Sequence, residues 1–212
     1  MKIKLRKAFI CGIKGKKLSK KEYKFLKKYK PWGIILFQRN IDNINQATKL
    51  IKSIKNIFKD QNYPILIDEE GGRVSRLRKI VDNSIFSADY FGKIYKKNIK
   101  KFNVFFKIYI NQISYVLNLI GVNINTVPVL DIRVKGASNI IGDRSFSKNK
   151  KNISKIGDIC IDYFRKNSIG TVMKHIPGHG LAKVDSHKFT PVVSKNLNYL
   201  NKNDFFPFKK KQ

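Results

Sequence analysis

Short apolar runs recur along this chain, and each breaks straight into charged or glycine-rich residues. Residues 33–37 (GIILF) run into Gln38, Arg39 and Asn40. Residues 65–67, opened by Pro64, run into DEEGGRVSR over 68–76. Residues 122–130 (VNINTVPVL) end at Asp131, and residues 171–175 break into IPGHG. The run 33–37 stays apolar rather than alternating, which suits a strand buried on both faces, the condition of a parallel sheet. The segments between the runs carry apolar residues at helical spacing. Strands alternating with helices, with polar residues gathered at strand C-terminal ends, point to a parallel α/β sheet or barrel.

The segments can be placed in order. Residues 6–13 read as a short buried strand. Residues 19–30 read as a helix with Ser19 as N-cap and Glu22 completing a capping box. Tyr23, Leu26 and Tyr29 are expected on its inner face, and Pro31 ends it. Residues 43–58 form a second helix, with Ile44, Ala47, Leu50, Ile51, Ile54 and Ile57 at helical spacing. Residues 79–101 show no clear pattern. Residues 102–120 form a strongly apolar helix capped by Gly121, too polar at Lys107, Asn111 and Gln112 to span a membrane. Residues 149–167 turn Ile153, Ile156, Ile159, Cys160 and Phe164 inward, and residues 196–206 begin a further helix. No internal repeat or low-complexity linker divides the chain, so residues 1–212 are expected to form one domain.

Composition excludes several classes. A chain of 212 residues with 42% hydrophobic residues can bury a sizeable core. Two cysteines, Cys11 and Cys160, make no disulfide framework and suit a reducing compartment. The basic start MKIKLRKAFICGIKGKK has an apolar run interrupted at Gly12 and stopped at Lys14. It reads as a strand rather than a signal peptide, and the protein is expected in the cytoplasm. The formal net charge of +31 would suit nucleic acid or anionic surfaces. Yet there are 37 lysines and 8 arginines, scattered along the chain. Bidentate readout of phosphates and bases favours arginine, so no specific nucleic acid and no membrane is expected as a partner. Loose polyanion binding at low salt follows in any case.

The chemistry concentrates in Thr171 to Thr190, which holds all three histidines, His175, His179 and His187. Asp185 stands two residues before His187. A carboxylate that close can accept a histidine N–H, fix its tautomer and raise its basicity, as proton transfer near neutral pH requires. His175 and His179 have the spacing of a helical metal pair. Pro177, Gly178 and Gly180 remove the helix that would bring them to one face, so no metal is expected. A lone histidine is more often a structural hydrogen-bonder, whereas three in one glycine-rich loop after a strand make the structural and functional readings equal. The cluster in 68–76 reads equally as a site or as a charged loop making its own salt bridges.

KHIPGHG followed by DSH resembles the signature of bacterial β-N-acetylhexosaminidases of the family-3 glycoside hydrolases, with Ile176 where that family usually has Phe. DEEGGRVSR resembles its Asp-Gln-Glu-Gly-Gly-Arg-Val-x-Arg, with Glu69 in place of Gln. IIGDRSF, residues 140–146, resembles its Gly-x-Arg-Ser-Phe/Tyr motif. The three motifs occur in the family's order and the resemblance covers about residues 8–208. It implies a (β/α)8 TIM-barrel fold, represented here by five or so N-terminal strand–helix units. It implies that Asp68, Arg76, Arg144, Lys174 and His175 bind the sugar, and that His187 with Asp185 transfers the proton. Glu70 and Arg73 are left as structural candidates. The implied activity is retaining hydrolysis of terminal β-linked N-acetylglucosamine from peptidoglycan-derived muropeptides, without a cofactor. The family's nucleophile, an Asp in a Ser-Asp-x-Leu-type motif, has no match before Gln212. The chain is therefore expected to be C-terminally truncated, with little turnover alone and a separately encoded C-terminal fragment as a candidate partner. The alternatives are an inactive sugar-binding remnant or half-barrel and, more remotely, a basic nucleic-acid-binding protein.

Overall fold

The computed structural model describes residues 5–209 except 135, 138, 177, 186 and 187. Five strands form one parallel sheet in chain order: β1 (Lys7–Gly12), β2 (Pro31–Leu36), β3 (Ile65–Ile67), β4 (Ile124–Asn125) and β5 (Gly170–Thr171). The crossovers hold α1 (Lys20–Tyr29), α2 (Ile44–Phe58), α3 (Ala88–Lys97) with α4 (Ile99–Ile120), and α5 (Lys150–Lys166). A short α6 (Leu197–Lys202) follows β5. Neighbours in the sheet are neighbours in the chain, and a helical segment joins each pair. That is the singly wound α/β arrangement of a (β/α)8 barrel, present here as five units.

Local chemistry sets the boundaries. Ser19 and Glu22 make the reciprocal capping box, with the Glu22 N–H donating to Ser19 Oγ at 3.2 Å and the Ser19 N–H to Glu22 Oε2 at 2.8 Å. Lys30 closes α1 in the left-handed region, and β2 begins at once with Pro31. Asn98 serves two helices: its N–H donates to Ile94 O and ends α3, while its side chain accepts the Lys101 N–H and starts α4. Between sheet and helices lies the core. Ile34, Leu36, Ile65 and Ile67 are wholly buried, as are Ala47 and Ile54 of α2 and Phe102 and Ile110 of α4. Burying each of the Ile, Leu and Phe side chains among them is worth roughly 1.5–3 kcal/mol.

Several expectations are corrected. β1 is not a buried strand: it is the sheet edge, and its residues are exposed or half-buried. Of the inner face expected for α1, only Leu26 is buried. Tyr23 lines an open lysine-walled cleft between α1 and α2, and Tyr29 packs against Phe25 at the surface. The fourth strand pairs only over Ile124–Asn125, and the ladder resumes where Val129 bridges Lys174. Residues 126–128 interrupt it, with Pro128 lacking an N–H to give. The fifth strand likewise starts one residue early and reduces to Gly170–Thr171 plus that bridge. The segment 79–101 contains α3, and α4 begins at Ile99, not at residue 102. The last helix ends at Lys202, and a separate turn, Phe206–Phe208, follows. Among the described residues no helix is long and apolar enough to cross a membrane.

Candidate functional site

The site is built at the C-terminal ends of β3, β4 and β5. Residues 68–77 leave β3 as a tight loop. Gly71 sits at φ +83°, and a Cβ there would lie 2.3 Å from the Phe86 carbonyl oxygen, so only glycine fits. Glu69 holds the loop together from inside. Its carboxylate is buried and accepts the Arg76 N–H at 2.7 Å, the Leu77 N–H at 2.9 Å, Ser75 Oγ at 3.2 Å and Asn83 Nδ2 at 2.6 Å. Asn125 of β4 clasps the Glu69 backbone, accepting its N–H at 3.0 Å and donating to its carbonyl at 2.9 Å. Burial pushes the Glu69 carboxyl up despite these four donors.

With the loop so held, Asp68 and Glu70 turn towards the strand ends. Lys174, beyond β5, places Nζ 3.0 Å from Asp68 Oδ1, 2.6 Å from Glu70 Oε1 and 3.0 Å from Thr126 Oγ1. Thr126 also donates to Asp68. Arg144 pairs with Glu70 through two parallel bonds, Nε to Oε2 at 2.7 Å and a terminal nitrogen to Oε1 at 2.9 Å. Arg76 approaches Asp68 at 3.5 Å. Burial raises the Glu70 carboxyl, but Arg144 and Lys174 more than reverse it, and the net shift is downward. Asp68 behaves alike: burial is outweighed by Lys174, Thr126 and Arg76.

His175 joins this cluster from the next position. Its Nδ1 lies 2.6 Å from Asp131 Oδ2, and its backbone N–H donates to the same oxygen at 3.2 Å. The His179 N–H donates to Asp131 Oδ1 at 2.6 Å. The Asp131 side chain is wholly buried. A carboxylate there makes Nδ1 the protonated nitrogen and leaves His175 Nε2 as an acceptor, 3.4 Å from an Arg144 nitrogen. Gly180 lets the loop pass over this corner, since a Cβ would meet the Ile132 carbonyl at 2.1 Å.

Five of the seven residues singled out in the sequence thus converge: Asp68, Arg76, Arg144, Lys174 and His175. Asp185 belongs to the following loop, where its carbonyl accepts the Lys188 and Phe189 N–H groups. His187 lies outside the described residues. Glu70 proves central, between Arg144 and Lys174. Arg73 is structural: it pairs with Asp143 at 2.7 Å and donates to carbonyls of residues 139–141, holding the loop that presents Arg144. Sequence reasoning missed Asn125 and Thr126. Their one signal was two adjacent polar residues in a strand run that also holds Asn123. Among the described residues no group of three or more His, Cys, Asp or Glu is arranged to hold a metal ion.

Three cations interleaved with three carboxylates lie at the C-terminal strand ends of a singly wound β/α sheet, the end at which barrel enzymes carry their active sites. Residues 3–211 match the glycosyl hydrolase family 3 N terminal domain, and the chain belongs to that family. Among similar proteins, the β-hexosaminidase of Actinobacillus pleuropneumoniae serotype 5b is 32% identical over 202 residues, covering 94% of this chain and 56% of the relative. The β-hexosaminidase of Thioalkalivibrio sulfidiphilus is 30% identical over 183 residues, covering 86% and 52%. The crystal structure of NagZ from Neisseria gonorrhoeae in complex with N-trifluoroacetyl-D-glucosamine superposes with a TM-score of 0.85 at 27% identity. It covers 96% of this chain and 59% of that one. The chain spans little more than half the length of these relatives.

Proposed function

We propose that the strand-end cluster binds a terminal β-linked N-acetylglucosamine residue and that the chain supplies this part of a β-N-acetylhexosaminidase. The convergence of Asp68, Arg76, Arg144, Lys174 and His175 carries this reading. Sugar hydroxyls both donate and accept, and the cluster offers carboxylate acceptors beside cationic donors held in fixed positions. The family membership and the names of the relatives support the substrate class. In the proposed reaction His187, oriented by Asp185, protonates the leaving oxygen and later activates water. A retaining mechanism also needs an attacking carboxylate on the opposite side of the sugar, and none of the residues named here takes that role. Muropeptides derived from peptidoglycan, handled in the cytoplasm, are the proposed natural substrates.

Saturation-transfer NMR tests the sugar reading. Methyl β-N-acetylglucosaminide should receive saturation from the protein, methyl β-glucoside much less, and Asp68→Asn should abolish the difference. Equal transfer to both sugars, or transfer indifferent to Asp68→Asn, would overturn it.

A further inference from the structure

Helix α4 is apolar on two sides. One side packs into the core through Phe102, Phe106, Ile110, Ile113 and Leu117. The other carries Val104, Phe105, Ile108, Tyr115 and Leu119, each between 45% and 69% exposed. At about 100° per residue, Val104, Ile108, Tyr115 and Leu119 fall within roughly 60° of arc, along about 22 Å of helix. Exposed Asn111 lies at the middle of this stripe and exposed Gln112 beside it. A surface helix ordinarily turns polar residues outward, and an exposed apolar stripe of this length marks a contact surface.

Charge decides what can cover it. α4 contains Lys100, Lys101 and Lys107 and no acidic residue. The adjacent α2, whose Thr48 donates to the Leu119 carbonyl at 3.4 Å, contains Lys49, Lys52 and Lys55 and again no acidic residue. On the other side α5 offers Asp158 and Asp162, and Asp162 is tied to Arg165 and Lys166. A second copy placed here would set lysine against lysine in a chain of net charge +31. The stripe is a ridge on one helix, suited to entering a deformable surface more than to gripping a peptide. Exposed aliphatic and aromatic side chains flanked by lysines are the composition of helices that lie in a bilayer interface. Lysines beside such a stripe can reach lipid phosphates while their stems stay on the apolar side.

We infer that the outer face of α4 docks on an anionic lipid bilayer, inserting this stripe at headgroup depth without spanning. The inference departs from the expectation of no membrane partner and is independent of the sugar-binding reading.

Vesicle co-sedimentation of the full chain tests it, with vesicles one-third phosphatidylglycerol in phosphatidylcholine compared with pure phosphatidylcholine at physiological salt. The chain should pellet with the anionic vesicles. Ile108→Ser combined with Tyr115→Ser should lower that partition about tenfold with an unchanged circular dichroism spectrum. A Tyr115→Trp chain keeps a large side chain in place and decides the matter even if the double variant misfolds. Its added fluorescence should shift to the blue and be quenched by lipids brominated in their acyl chains, beyond any change in the natural chain, whose one tryptophan is Trp32. Absence of pelleting would overturn the inference. So would partition unaffected by the double variant, or an unquenched Tyr115→Trp chain, because either reduces the contact to adsorption by charge. A dimer in sedimentation velocity that the double variant dissociates would assign the face to a second copy instead.

Discussion

Asp131 Oδ2 stands 2.6 Å from His175 Nδ1, and the same carboxylate takes the backbone N–H groups of His175 and His179. One buried side chain thus orients the His175 ring and fixes the backbone at both His175 and His179. Asn at this position would keep one acceptor oxygen and aim its NH2 at an N–H donor. Asp131→Asn should therefore cost about 1–3 kcal/mol in urea unfolding. An unchanged midpoint would mean that the loop is held by other contacts.

Glu70 is the shared partner of Arg144 and Lys174, and its side chain is 5% exposed. Glu70→Ala would leave two cations facing each other across a nearly dry space. Removing one partner of such a group costs about 3–5 kcal/mol, which denaturant titration can measure. Glu70→Gln, which keeps the shape but removes the charge, should fall between the natural chain and Glu70→Ala.

Acid stability should depend on the same cluster. Asp68 and Glu70 both have depressed pKa values in the folded chain. Their contribution is complete above the ordinary carboxylate range of about 3.9–4.3 and is lost as pH falls through the depressed values. Lys174→Met removes the ammonium that lowers both, so its acid-unfolding midpoint should rise by about one pH unit. Circular dichroism during acid titration would show the shift, and coincident curves would contradict it.

Glu69 runs the opposite way. Its raised carboxyl makes the ionised form costly in the folded chain, so its contribution weakens as pH rises above the unfolded value of about 4.3. Gln at 69 can keep the Arg76 and Leu77 N–H bonds through its oxygen. Its amide can donate to Asn83 Oδ1, which is buried without a partner, once Asn83 turns over. Glu69→Gln should therefore stabilise the chain more at pH 8 than at pH 4. Equal effects at both values would show that Glu69 does not titrate in this way.

The strand–helix order was legible because its signals are local: apolar runs, helical spacing, and caps such as Ser19 with Glu22. Exposure was not, because it depends on who pairs with whom. β1 looks like any buried run until the sheet makes it an edge, and Tyr23 and Tyr29 lie on the helical face that the period selects but that α2 leaves uncovered. The convergence of Asp68, Arg76, Arg144, Lys174 and His175 was legible from the resemblance of their motifs. The residues that align them were not. Asn125 and Thr126 read as polar interruptions of a strand, and Glu69 reads as one more acid in a charged loop. Arg73 and Arg76 are three residues apart and alike in sequence. The resemblance of the motif already divides them, and the structure sets Arg73 on the 139–143 loop and Arg76 beside Asp68.

Calorimetric titration with N-acetylglucosamine tests the central claim most directly. The natural chain should bind with a Kd near the millimolar range, about −4 kcal/mol. Arg144→Lys, which keeps the charge but loses the two-pronged hold on Glu70, should weaken binding about tenfold, the loss of roughly one good hydrogen bond to a charged group. No heat at tens of millimolar sugar, or one affinity shared by both chains, would contradict the account.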